Sequence, residues 1–465
     1  MPDPRPRHAA VYCAGLLLLA AGVACPRALL AADDSPADKL QIDGGHVSGS
    51  TEILFNRIGG SGAQTMDGIL VVETLNGGTT ASDAFYMTSP LSAGPYEYFL
   101  FRGTDEPGEA DNWYLRSSLL PGSAPPRVAG QATVAPAPPP GAEPVPLYRP
   151  EIPLYAQAKS LAQQLSLTEI GTYHRRRGEQ RSWAEGAAWN GRSRGGNNAW
   201  LRLYHRDARL DWKGDVYSRF DGHLSGFQLG GNFYAAPSCR GTQELGLFVG
   251  SSRASGDVTG FARGFEHFGA GRNQLQSYYI GGYFTDYRIN QSYLDIVTKI
   301  AYVELDSRSS RQIADRTYGP QLSASAEGGV TVPVGGRINL EPQLQLIANY
   351  TNLDAYWDGI SHVEPDVTPE LTARAGLRGY NRQGRNQYYL YGNLWHTLGG
   401  DDEIQFNNRL RLENDRSATW AEIGAGIVLL ERESGSAFLN LSYQRSVDDL
   451  DWQGGSANLG FNWAW

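Results

Sequence analysis

Asn458-Leu-Gly-Phe-Asn-Trp-Ala-Trp465 is the stretch whose reading decides the fold of this chain. Leu459, Phe461, Trp463 and Trp465 fall on one side of a period-two strand, and Gly460, Asn462 and Ala464 on the other. Bulky apolar residues on one face and small or polar ones on the other suit a membrane strand with lipid outside and water inside. A terminal aromatic ring fits a closing strand that ends in an interfacial girdle, whereas soluble chain ends fray into water.

The same alternation recurs upstream. Leu439, Leu441 and Tyr443 alternate with Asn440, Ser442 and Gln444. Leu344, Leu346, Ala348 and Tyr350 alternate with Gln343, Gln345 and Ile347, and the misfit Ile347 is expected near a rim. Comparable segments begin near Trp200, Phe220, Gln243, Gln276, Ser292, Gln321, Leu371, Gln387, Thr419 and Gln453. Together they make twelve, of about ten residues each, the length a tilted membrane strand requires. Residues 403–413 are too polar for lipid contact and read as a strand extension or part of a loop. Residues 253–272 and 354–368 read as longer outer loops. Lipid offers backbone N–H and C=O groups no partner, so such a sheet must close on itself. The expected fold is all-β, a 12-stranded antiparallel transmembrane β-barrel.

Composition agrees. The 465 residues include 56 Gly, 25 Tyr and 11 Trp, with 3 Met and 19% charged residues, and mean hydropathy is negative. This excludes a bundle of membrane helices and suits many strands with aromatic belts and a polar lumen. A net charge of -9 provides no basic face for nucleic acid.

Arg5, Arg7 and His8 precede an apolar run over 9–24, and Ala31-Ala32 stands before Asp33-Asp34. Charge, length and order match a signal peptide over 1–32, with Leu29 or Leu30 where a small residue is preferred. Gly22 stands where Leu is usual before a lipidated cysteine, which argues against that role for Cys25. Cys13 and Cys25 leave with the leader, so Cys239 stays alone, with no intramolecular disulfide and no Cys-based metal site expected.

Between leader and barrel the chain changes character twice. Residues 40–118 hold short strand-like pieces divided by Gly and Asn, as at Asn76-Gly-Gly78, and are too few for more than a small core. They read as the end of a stacked β-structure. Pro121, Pro125, Pro126 and Pro136-Ala-Pro-Pro-Pro140 then mark a linker that favours extended geometry and packs no core. From Glu151, Ile152, Tyr155, Ala158, Leu161, Leu165 and Thr168 recur at three- and four-residue steps, a helix to about Ile170. Pro153 is tolerated in its first turn, Gly171 is its stop, and Arg175, Arg176 and Arg177 suit its negative end.

Gly60-Ser-Gly-Ala-Gln64, Asp67-Gly-Ile-Leu-Val-Val-Glu73, Ala93-Gly-Pro-Tyr-Glu-Tyr98 and Asp111-Asn-Trp-Tyr-Leu-Arg-Ser117 resemble the junction region of pertactin-like autotransporters. Tyr148-Arg-Pro-Glu-Ile-Pro-Leu-Tyr-Ala156 is similar to their lumen helix. Tyr293-Leu-Asp295, Leu340-Glu-Pro-Gln343, Asn393-Leu-Trp-His396, Thr419-Trp-Ala-Glu-Ile-Gly424 and Ser442-Tyr-Gln-Arg445 resemble their barrel motifs. The resemblance implies a type V secretion protein of the outer membrane. Its parts would be a signal peptide (1–32), a short passenger forming a β-helix cap (33–118), a Pro-rich linker (119–150), a lumen helix (151–177) and a barrel (178–465). The barrel would deliver its own passenger to the cell surface, and the helix, with Tyr155, Lys159, Leu161 and Leu165, would thread the lumen. Asn458, Gly460, Trp463 and Trp465 would form the signal read by the β-barrel assembly machinery, with periplasmic chaperones as further partners. Members that cut themselves do so at an Asn-Asn pair in the helix; this chain has Asn197-Asn198 near the first strand instead, so no cleavage residue is assigned.

Chemistry is otherwise sparse. The eight histidines are scattered, and Asp401-Asp402 and Asp448-Asp449 fall in predicted turns, where solvation explains them. No catalytic, cofactor or metal residue is assigned, and no enzyme is expected. Glu341 and Glu422 belong to strand segments and should face the lumen, pairing with Lys159 or with arginines. Two competing readings are a porin-like diffusion channel, which a plugged lumen opposes, and an adhesin acting through the passenger.

Overall fold

The computed structural model describes residues 26–464 apart from 105–106, 130–132, 179–197, 239, 336–337, 382–386, 399–400 and 433–434. Most of the expected leader, Cys239, Asn197 and Trp465 therefore lie outside the described residues.

Twelve antiparallel strands close a barrel: β1 Asn198–Gly214, β2 Ser218–Ser238, β3 Gly241–Ala262, β4 Phe265–Arg288, β5 Tyr293–Ser309, β6 Ala314–Gly329, β7 Ile338–Thr351, β8 Glu370–Asn381, β9 Tyr388–Leu398, β10 Ala418–Arg432, β11 Gly435–Ser446 and β12 Gln453–Ala464. β12 returns to β1 in continuous register from Ala464↔Asn198 to Gln453↔Arg209. Each of the twelve segments read from the sequence begins in, or within one residue of, one of these strands.

The alternation has the expected sense. Ile280, Ile300, Leu322, Leu344, Leu390, Ile423 and Leu441 point outward, each more than half exposed. In water this would be an apolar patch far beyond what a monomer tolerates; around a barrel it is the lipid-facing belt. We expect Leu441→Arg to impair insertion more than Ser442→Arg. Leu441 is 52% exposed on the outer face, whereas Ser442 Oγ lies 2.6 Å from Ser456 Oγ on the inner one. Arg at the lipid midplane costs about 2–4 kcal/mol, and a watery inner position can solvate it. Equal yields of folded barrel from the two variants would refute this facing.

Three expectations about the barrel need correction. Asp401-Asp402 is not a solvated turn: it opens a strand, and Asp402 is buried. Ile347 is not at a rim but completely buried on the inner face, in one apolar cluster with Leu161 and Leu165 of the lumen helix. Residues 253–272 are not a loop: β3 and β4 run for 22 and 24 residues and turn only at Arg263-Gly264, both at positive φ as a two-residue hairpin requires. Above the lipid a strand can turn polar on both faces and still pair with its neighbour, so polarity alone does not mark a loop. Residues 403–413 do extend the wall. Asp401–Phe406 and Leu410–Asp415 form a hairpin turned by Asn407 and Asn408 at positive φ, and it pairs with His362–Pro365 and the end of β1.

On one mouth of the barrel stands a parallel β-stack. Arg27–Leu29, Leu40–Asp43, His46–Val47 and Thr51–Glu52 pair in parallel with Asn56–Gly59, Ile69–Leu75, Thr79–Thr80 and Phe85–Tyr86. These are two successive turns of a β-helix. Antiparallel strands Leu91–Ala93, Tyr96–Arg102 and Trp113–Arg116 cover its second turn. The stack therefore starts before residue 33: Ala28 and Leu30 are fully buried in its core. The Pro-rich segment is likewise no free linker. Ser118–Leu119 pairs with Val145–Pro146, and Leu119 and Leu147 bury against Phe99 and Phe101 with Val128, Val134 and Val145 alongside. Proline forgoes donors, yet the valines and leucines between supply enough apolar surface to strap the segment down.

Candidate functional site

The chain crosses the lumen as three short helices: α1 Ile152–Ala156, α2 Ala158–Ile170 and α3 Tyr173–Arg177. Gly171, at φ +59, ends α2, where an added Cβ would press on the Arg202 guanidinium at 3.0 Å. Thr172 then caps α3, its hydroxyl accepting from the Arg175 N–H.

All of α2 except Thr168 is buried. Leu161 and Leu165 pack in the apolar cluster that holds Trp200, Phe248, Val297 and Ile347 of the wall, so the lumen is not polar throughout. The same helix also meets polar wall. Ser166 Oγ lies 2.8 Å from both Ser323 Oγ and Asn349 Oδ1 and accepts from Lys299 Nζ at 2.9 Å. Lys299 also forms a fully buried ion pair with Glu169, which accepts from Ser252 as well.

Charge pairs pin both ends. Near the stack, Tyr155 donates to Asp315 at 2.5 Å and Lys159 Nζ lies 2.6 Å from Asp402. Burial pushes the Asp402 carboxyl up, while Lys159 and Arg416 pull it back. At the far mouth Arg176 donates to both oxygens of Asp295 at 2.6 and 2.8 Å, Arg177 pairs with Glu244 at 2.8 Å, and Arg175 pairs with Glu422. His174 Nε2 and Glu341 Oε1 are 2.6 Å apart. The Tyr173 N–H donates to Glu327, which also accepts from the Tyr293 hydroxyl.

Glu341 and Glu422 thus face the lumen, and of the two expected pairings it is the one with arginines that occurs: Glu422 pairs with Arg175, and Glu341 lies 3.7 Å from Arg378 and also meets His174, whereas Lys159 belongs to the opposite mouth. The residues that sequence reasoning missed are Glu169, Lys299, Asp295 and Glu327. One signal for them was present: Lys299 interrupts the apolar strand Ile296-Val-Thr-Lys-Ile300 at an inward position.

The terminal strand has an inner face of its own. Asn458 Nδ2 donates to the Arg175 carbonyl and Asn462 Nδ2 to the Arg177 carbonyl, both at 3.1 Å. Between them the Phe438 ring lies over Gly460, where a Cβ would overlap it, and also against Gly178. Trp463 is on the outer face, 37% exposed. Among the described residues no group of three or more His, Cys, Asp and Glu side chains is placed to hold a metal ion. The arrangement can fill a pore and hold a chain segment at defined depth.

Residues 199–442 match the autotransporter beta-domain family, and residues 20–100 match the autochaperone domain type 1. The chain is 29% identical over 410 residues to the adhesin BmaC autotransporter of Brucella suis biovar 1 (strain 1330), covering 82% of this chain and 11% of that protein. It is 23% identical over 476 residues to the uncharacterized protein YdeU of Escherichia coli (strain K12), covering 94% of each. It thus spans about a tenth of the first relative and nearly all of the second. The transport unit of the autotransporter AIDA-I from Escherichia coli superposes with a TM-score of 0.53 at 18% identity, over 68% of this chain and 100% of that one.

Proposed function

The chain belongs to the autotransporter family, and on that premise we propose that its barrel delivers the β-stack across the outer membrane and holds it at the cell surface. One observation carries this reading. The stack stands at one mouth, β1 begins at the other, and the chain between them runs down the lumen as α1 to α3. A segment ahead of a lumen helix reaches that position by passing through the pore. The role is transport and display without catalysis. We further propose that assembly relies on periplasmic chaperones and on the barrel assembly machinery reading the terminal strand around Trp463. BmaC bears the name of an adhesin, but its likeness to this chain covers 11% of its length, and no ligand for the stack follows from it.

An epitope inserted after Gly77, at the tip of an exposed turn, tests the reading. Protease added to intact cells should remove the epitope and leave the barrel core. Accessibility only after the outer membrane is permeabilised would sink the display reading.

A further inference from the structure

The stack and the barrel share one apolar core. Ile69, Trp113 and Leu115 of the stack, Tyr148 and Ile152 of the connecting segment, and Val258, Val363 and Phe406 of the barrel belong to a single buried cluster. Through it runs a network of six charged side chains. Glu97, in the strand covering the stack, accepts from Arg263 Nε and from Arg311 Nη1, each at 2.6 Å. Arg263 is at the tip of the β3–β4 hairpin and Arg311 in the β5–β6 turn. Arg311 also donates twice to Glu151, at 2.5 and 2.9 Å. Arg149 stands 3.9 Å from Glu151 and donates to Asp358, in the segment between β7 and β8, at 2.6 Å.

Three carboxylates and three guanidiniums cancel, and all but Arg311 are buried. Around them, Arg57 of the stack donates to the Ile360 carbonyl, Ser361 to the Gly94 carbonyl and Asn407 to the Ser61 carbonyl, at 3.1 to 3.2 Å. An exposed ion pair does little to fix two bodies together. A buried, balanced set admits far fewer arrangements, and deleting or reversing one member leaves charge without compensation in a dry site.

We infer that this network is a latch, with Glu97 as its hub, that locks the stack onto the barrel mouth in one orientation. The partner that this face of the stack fits is the chain's own barrel, presenting arginines from two hairpin turns. The latch draws its parts from the stack, the helix entry and three barrel connections, so it closes only when all of them have folded at the same mouth. Its biological use rests on the display reading: whatever the stack carries is held at a fixed angle to the membrane and does not sweep on a Pro-rich tether.

The test uses the full chain, refolded in detergent, with Cys13, Cys25 and Cys239 replaced by Ser and spin labels at Ser82→Cys and Asp449→Cys. Pulsed electron resonance should give one narrow distance. Glu97→Lys should at least double its width while the barrel keeps its heat-modifiable migration on gels. If Glu97→Lys yields no folded barrel, Arg311→Ala, which alters a partly exposed turn, decides by the same broadening. A broad distribution in the parent, or an unchanged one in a folded variant, overturns the latch. The protease assay on cells reports on display alone, so either result can fail without the other.

Discussion

A chain lacking residues 26–177 is expected to insert as an open barrel and to conduct ions in planar bilayers, while the intact chain stays near the baseline. An α-helix with its side chains is about 10–12 Å across, so its removal leaves an opening of about that width. The plug is held by pairs at three depths: Lys159 with Asp402, Lys299 with Glu169, and the α3 arginines with Asp295, Glu244 and Glu422. A milder variant asks the same question. Lys299→Met leaves Glu169 without its cation in a fully buried site, and breaking such a pair by removing one partner costs about 3–5 kcal/mol. That loss is borne by the seating of α2, since β5 keeps its backbone pairing with β4 and β6. Flickering openings at low voltage are expected from Lys299→Met, and a steady open level from the deletion. Equal, low conductance in the intact chain and the deletion would show that the helix does not close the pore. Large steady conductance in the intact chain would instead favour a porin-like channel.

The barrel was legible because its constraint is local and strict. Residues two apart share a face, and lipid accepts almost nothing polar, so parity alone located the twelve strands. The inner face obeys a softer rule, since a residue there need only suit what fills the lumen. Ile347 broke the alternation because it joins the apolar cluster around the lumen helix, a placement set by how deep the helix sits, and no strand period encodes depth. The same applies to Glu341 and Glu422: their facing could be read, but their pairing with α3 and not with Lys159 depends on the helix's position along the lumen axis. The leader's end carried its own warning. Leu29 and Leu30 suited a cleavage site poorly because this segment belongs to the stack, where Leu30 is fully buried. In the Pro-rich segment, the density of proline outweighed Val128, Val134, Val145 and Leu147, which do the packing.

Gly460→Ala is expected to prevent β12 from closing the barrel, both in cells and in detergent. The Phe438 ring on β11 occupies the volume that the new methyl group needs, and its own retreat is blocked on the other side by Gly178. Phe438 is 1% exposed, so the ring has no open lumen to swing into. Overpacking a filled site costs about 1–3 kcal/mol where neighbours can adjust. Here the clash falls on the inner face of the β11–β12 pair, between the two hydrogen bonds by which Asn458 and Asn462 hold the α3 backbone, so adjustment would also loosen the plug. The double variant Gly460→Ala with Phe438→Leu should recover folded barrel, because the smaller side chain frees the contested space. Trp463→Ala separates this geometric role from recognition. Its ring is on the outer face and supports neither contact, so the variant should refold in detergent about as well as the parent. In cells it should accumulate in the periplasm and be degraded, if the assembly machinery reads the aromatic pattern of the terminal strand. Failure of Trp463→Ala in detergent would reduce that residue to a packing role. Normal closure by Gly460→Ala would mean that the Phe438 ring does not hold the space over residue 460.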